Sequence, residues 1–324
     1  MKARPWLAGL CAVVVAGAAT GIVFAFSGGT GAARSQARAR APVHPHVLAT
    51  CKAAGGRVSP RSARNSTIAF VRYAAGSYAI FLTTSRGGQA HRLSARPAAR
   101  PPVPRQNFQD EPGWSPDGRS IAFESDRTGH AAIYVMRADG THTRRVSTGR
   151  PPDARLIVFS RAGEGLVVIR ADGRGVRALT RDANSQDIDP AWSPDGRRIA
   201  FVRREAGIGA ALFLIRPNGT GLCELTPFSG SVIEPAWSPD GTRIAYSGGN
   251  GSGFGIHVVG IDGRGRRMLT PEALDFHPSW SPDGRQIAFV REATLYLMNR
   301  DGTHVGRLTP PSAIDGGPAW RPAA

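Results

Sequence analysis

Trp192-Ser193-Pro194-Asp195-Gly196-Arg197-Arg198-Ile199-Ala200-Phe201 is the stretch that decides the fold, because it is written four times. It recurs at Trp114–Phe123 (WSPDGRSIAF), Trp237–Tyr246 (WSPDGTRIAY) and Trp280–Phe289 (WSPDGRQIAF). Ser-Pro-Asp-Gly encodes a type I turn followed by a left-handed glycine, the three-residue hairpin connection: Pro presets the second position and Asp suits the third. One strand must enter at the Trp and another must leave at Ile-Ala-Phe.

The spacing is the larger clue. The complete motifs start at Trp114, Trp192, Trp237 and Trp280, and a truncated one starts at Trp320, giving separations of 78, 45, 43 and 40 residues. Repeats of roughly 40 to 45 residues built from strands and turns indicate a propeller with one small sheet per repeat. The double interval hides a further copy, read at Pro152–Phe159. The first repeat lacks the turn but keeps its strands from Thr67 onward, so the chain holds six repeats.

Within each repeat the middle strands are short apolar runs, the pattern of strands covered on both faces. Asp-Gly or Asn-Gly follows at Asp139-Gly140, Asp172-Gly173, Asn218-Gly219, Asp262-Gly263 and Asp301-Gly302. These dipeptides are hairpin signals, and calcium ligation is rejected because the other oxygen ligands are missing. Gly317-Pro318-Ala319-Trp320 reads as a first strand with no repeat after it, so it is expected to complete the first blade and close the ring. Blade three is expected to lack its innermost strand, since about ten residues separate Ser147 from Ile157 where other repeats use 17 to 19.

Residues 1–66 carry nine Lys or Arg and no acid, against a net charge of +17 for the whole chain. Residues 1–5 form a basic segment, 6–26 an apolar stretch, 27–58 a Gly/Ala/Arg linker and 59–324 the propeller. The apolar stretch is long enough for a membrane-spanning helix, and length favours an anchor; small-residue sites near Ala16 and Gly31 leave a cleaved signal as the alternative. The propeller is then extracytoplasmic, tethered to the membrane or, after cleavage, secreted. Cys11 is a poor lipoprotein cysteine. Cys51 and Cys223 occupy unrelated repeat positions, and sequence does not fix whether they pair. The basic residues are nearly all Arg, and no nucleic-acid partner is expected.

WSPDGRxIAF, an apolar strand, Asp-Gly and Arg-x-Leu-Thr, recurring in phase over about residues 67–322, resembles the repeat of the TolB propeller, shared with the propellers of prolyl oligopeptidase and dipeptidyl peptidase relatives. The resemblance implies an all-β, six-bladed β-propeller after an N-terminal transmembrane or signal helix. TolB-type proteins place an α/β domain before the propeller, for which the linker is too short, so partners of that domain are not carried over to this chain. Peptidase relatives need a hydrolase domain with Gly-x-Ser-x-Gly. Ala245-Tyr246-Ser247-Gly248-Gly249 is a near miss that falls on a blade strand rather than a strand-to-helix turn.

Candidate ligand-binding residues enter the innermost strands: Glu111, Asp189, Glu234 and His277 each precede the motif's Pro, and Asp275 stands beside His277. Equivalent positions in a propeller gather around the channel mouth, making an acidic rim suited to a cation, a basic peptide or a sugar. The structural alternative is that these carboxylates cap backbone N–H groups or pair with the Arg of Ser-Pro-Asp-Gly-Arg. Trp114, Trp192, Trp237, Trp280 and Trp320 are read as wedges between blades rather than sugar platforms. One His in the ring makes no metal site, and no cofactor, metal or catalytic residue is assigned. The expected role is non-catalytic binding of an envelope protein or polymer, with a polysaccharide lyase or hydrolase as the alternative.

Overall fold

The computed structural model describes Cys51 and residues 67–321, except for 75–76, 95–108, 116–117, 126–131, 146–155, 162–164, 171–174, 183, 250–253, 272–273 and 312–313. The expected anchor at 6–26 lies outside the described residues, as does the linker apart from Cys51.

Six antiparallel sheets follow one another along the chain. Blade two is Gln109–Trp114, Ser120–Ser125, Ala132–Arg137 and Arg144–Arg145; blade four is Ser185–Trp192, Ile199–Glu205, Gly209–Ile215 and Cys223–Glu224. Blade five begins at Ser231–Trp237 and blade six at Asp275–Trp280, each with three further strands. Blade one is built from both ends of the propeller: Ile314–Trp320 pairs antiparallel with Thr67–Ala74, joining Ile68 to Trp320 and Arg72 to Asp315. The expected closure of the ring is therefore present. Blade three holds three strands, Leu156–Arg161, Gly165–Arg170 and Arg177–Ala178, with no innermost strand among the described residues.

The turns form as the residues dictate. In the three fully described later copies the Gly N–H donates to the Ser carbonyl, and Gly196, Gly241 and Gly284 have φ of 66–68°. The Ser hydroxyl donates to the Asp carboxylate at 2.6–2.7 Å and accepts the N–H five residues on, at 2.9 Å. Asp139 and Asp301 likewise hold the N–H and hydroxyl of Thr141 and Thr303, which confirms turn chemistry at Asp-Gly. The Thr that ends each outer-strand segment (RALT, CELT, RMLT and GRLT) has its own task. Thr180, Thr226, Thr270 and Thr309 accept the buried N–H of Leu166, Leu212, Ile256 and Leu295 at 2.9–3.1 Å, where the two-residue outer strand leaves the third strand unpaired.

The apolar runs serve two cores each, which is why they do not alternate with polar residues. Ile199 and Phe201 pack with Leu166 and Val168 of blade three, while Ala200 and Val202 pack with Ile244 and Tyr246 of blade five. Comparable clusters join blade five to six, six to one and one to two. Among the described residues none joins blade two to blade three, the junction flanking the missing inner strand.

Cys51 and Cys223 form a disulfide, with Cα atoms 5.4 Å apart. Cys51 is buried in the core between blades four and five. The bond ties the chain ahead of the first blade to the outermost strand of blade four, a pairing set by tertiary placement alone.

Candidate functional site

Each innermost strand starts at the channel mouth and ends at its Trp, and each carries a bulge before the proline. Register shifts between Ile188 and Ala191, Ile233 and Ala236, Phe276 and Ser279, and Asp110 and Gly113. Proline has no N–H for the ladder and is confined to such irregularities inside sheets. The preceding residue takes a left-handed conformation: Asp189 φ 51°, Glu234 φ 57°, His277 φ 53° and, in the closing strand, Gly317 φ 52°. A non-glycine residue there costs about 1–2 kcal/mol, and such strain persists only where surrounding contacts impose it.

Those contacts run around the ring. Asp189 Oδ2 accepts the N–H of Glu234 at 3.1 Å, and Glu234 Oε2 accepts the N–H of His277 at 2.6 Å. The bulges of blades five and six thus each expose an N–H that the carboxylate of the preceding blade satisfies. Glu234 also accepts the Ser247 hydroxyl at 3.0 Å and lies 3.1 Å through Oε1 from His277 Nδ1, an ion pair whenever the ring is protonated. Burial pushes the Asp189 carboxyl above its ordinary range, against the Glu234 N–H and the charges of Arg204 and His277. Burial likewise raises Glu234, opposed by His277 and reinforced by Asp189. Asp189 Oδ1 has no hydrogen-bond partner among the described residues. Asp189, Glu234 and His277 are therefore brought together; Glu111 occupies the same bulge in blade two, with its side chain outside the described residues.

Asp275 has a different environment. Its side chain is fully buried and bridged bidentately by Arg291 at 2.8 Å, which removes it from a ligand's reach. Asp187 with Arg203 and Asp315 with Arg72 repeat the clasp. Each Arg stands directly opposite its Asp in register and lies 5.1–5.8 Å from the centroids of two aromatic rings of its own blade. The Arg that pairs is the one two residues after the motif's Phe, not the Arg of Ser-Pro-Asp-Gly-Arg. A signal for this was readable: the repeats with Asp at this place have Arg opposite, while Gln109 and Val232 face Ser125 and Gly248.

The mouth end also carries exposed apolar side chains that sequence reasoning missed. Ile208 on a blade-four turn is 59% exposed and Leu274, entering blade six, 58%; Ile314 and Tyr73 are exposed cross-strand neighbours in blade one. Among the described residues no group of His, Cys, Asp and Glu is arranged to hold a metal ion.

The tryptophans act between blades. Trp237 Nε1 donates to Ala191 O, Trp320 to Ser279 O and Trp114 to Ala319 O, at 3.0–3.1 Å, in each case to the residue before the Trp of the preceding inner strand.

Comparison with known proteins agrees with this architecture. The family described as PD40, TolB beta propeller domain, matches residues 150–294. A Protein TolB homolog from Chlorobium chlorochromatii is 30% identical over 153 residues, 44% of this chain and 32% of that protein. A protein of Bacillus subtilis named Uncharacterized peptidase YuxL is 32% identical over 124 residues, 36% of this chain and 18% of its own length. The chain thus covers less than a third of either relative. The crystal structure of TolB from Acinetobacter baumannii superposes with a TM-score of 0.66 at 22% identity, covering 80% of this chain and 67% of that one. Residues 150–294 of this chain match the TolB beta propeller domain, and its six sheets share the fold of the TolB propeller.

Proposed function

We propose that this propeller is a non-catalytic binding module outside the cytoplasm, tethered by its N-terminal segment, that docks an envelope protein through the channel mouth. The observation that carries this reading is that exposed Leu274, Ile208 and the cross-strand neighbours Ile314 and Tyr73 stand at the same end of their blades as the desolvated carboxylates. Exposed apolar side chains beside charge are the composition of a protein interface. Asp189, with one carboxylate oxygen unpartnered, suits a Lys or Arg of the partner. The disulfide supports an oxidising compartment.

Panning a random peptide library against the full chain tests this. Enriched sequences should combine basic and apolar residues, and their affinity should fall about tenfold, one lost charge contact, for Asp189→Asn and similarly for Leu274→Ser. Peptides that bind all variants equally would refute the mouth as the docking site.

The Glu234–His277 pair is the one arrangement favouring a second reading, a lyase or hydrolase acting on a polysaccharide. Glu234 there already accepts a backbone N–H and a hydroxyl, which leaves it poorly placed as a free base. Turnover of acidic polysaccharides that disappears in His277→Ala would establish the enzyme instead.

A further inference from the structure

The opposite end of the ring, where the Ser-Pro-Asp-Gly and Asp-Gly turns lie, is basic. Between blades five and six it opens into a cleft of about 720 Å³ lined by Arg243, Arg264, Arg267 and Arg300. All four are exposed. Arg267 Nη1 donates to Asp301 O at 3.3 Å across the blade junction, whereas the guanidinium groups of Arg243, Arg264 and Arg300 have no hydrogen bond or ion pair among the described residues. The two acids in the wall hold their own turns through Oδ1: Asp240 accepts from Ser238 and Thr242, with the charge of Arg243 also favouring its ionised form, and Asp283 accepts from Ser281 and the N–H of Arg285, so the four arginines outnumber the acids two to one.

A second observation falls on the same cleft. Trp280 lines it, is 7% exposed, and its indole N–H has no acceptor, although the equivalent Trp237, Trp320 and Trp114 each donate to the preceding inner strand. The expected acceptor would be the carbonyl of Ala236. A buried N–H without a partner costs about 1–3 kcal/mol and demands an explanation. The relay between blades is therefore broken at the junction where the cleft opens.

We propose that this cleft is a binding site for a phosphate monoester or diester, held by Arg243, Arg264, Arg267 and Arg300. Guanidinium forks match phosphate oxygens bidentately, and several of them around one tetrahedral anion neutralise it without a metal. The volume is within the range of small-molecule sites and leaves room for a glycerol or sugar beside the phosphate. The site lies at the end of the ring opposite the protein-docking mouth and does not depend on it.

The test uses the full chain in neutral detergent micelles, titrated calorimetrically with glycerol 3-phosphate and, separately, into micelles doped with phosphatidylglycerol. Saturable binding is expected, weakened at least about tenfold by Arg264→Gln with Arg300→Gln, and by Arg243→Gln alone should the pair fail to fold. Arg197→Gln, on the blade-four turn of the same end but outside the cleft, should bind like the parent. Binding of glycerol 3-phosphate assigns the site to soluble phosphate esters; binding of the doped micelles alone assigns it to lipid headgroups. Absence of binding to both probes, or an equal loss in Arg197→Gln, overturns the proposal.

Discussion

Asp315→Ala tests how the ring is held shut. Asp315 is fully buried on the closing strand, and Arg72 bridges it through Nε at 2.6 Å and Nη2 at 2.8 Å. Removing one partner of a buried pair costs about 3–5 kcal/mol, because the remaining charge is left desolvated. Arg72 keeps some solvent access and lies over Phe70 and Phe81, so the lower end, about 3 kcal/mol, is expected. For a propeller of this size that lowers the melting temperature by roughly 6–12 °C, at about 2–4 °C per kcal/mol. Loosening the closing strand should also expose Trp320, which packs on Ile68 and Ala288. Urea unfolding gives the stability, and quenching of tryptophan emission reports the undocked strand. Arg72→Met with Asp315→Leu should recover most of the loss, since well-packed apolar pairs often replace buried ion pairs at no net cost. A loss under about 1 kcal/mol for Asp315→Ala would show that the clasp does not close the ring.

Three further outcomes follow. Cys223→Ser opens a covalent loop spanning 172 residues and should destabilise the oxidised protein by about 2–5 kcal/mol, with a mobility change on non-reducing gels. Thr226→Val strands the buried Leu212 N–H and should cost about 1–3 kcal/mol by urea denaturation. Asp189 and Glu234 have folded pKa values raised above their unfolded ones, so the stability they contribute is full below their ordinary carboxylate range and is lost as pH rises through the raised values. Asp189→Asn, which retains an acceptor for the Glu234 N–H, should therefore raise the melting temperature at pH 7.5 relative to the parent and not at pH 3.5; an equal change at both would remove burial as the cause.

Much of the fold was legible because each blade is a local object. Ser-Pro-Asp-Gly, Asp-Gly and the apolar runs each act within a few residues of chain, so six repeats, the turn geometry, a closing strand around Gly317–Trp320 and the short third blade all follow from the order of residues. Even the buried clasps left a trace, in Asp and Arg that appear together in the same repeats. The acidic residues before proline were legible as a set, and capping of backbone N–H groups was one of their readings, but which N–H each one caps was not legible. Tertiary structure alone decided that Asp189 and Glu234 satisfy the next blade's bulge, that Cys51 meets Cys223, that Leu274, Ile314 and Tyr73 are left exposed, and that Trp280 lacks the acceptor its counterparts find. The physical reason is common to all four: each depends on how one blade is placed against another, and repeat periodicity specifies the blade without specifying the junction.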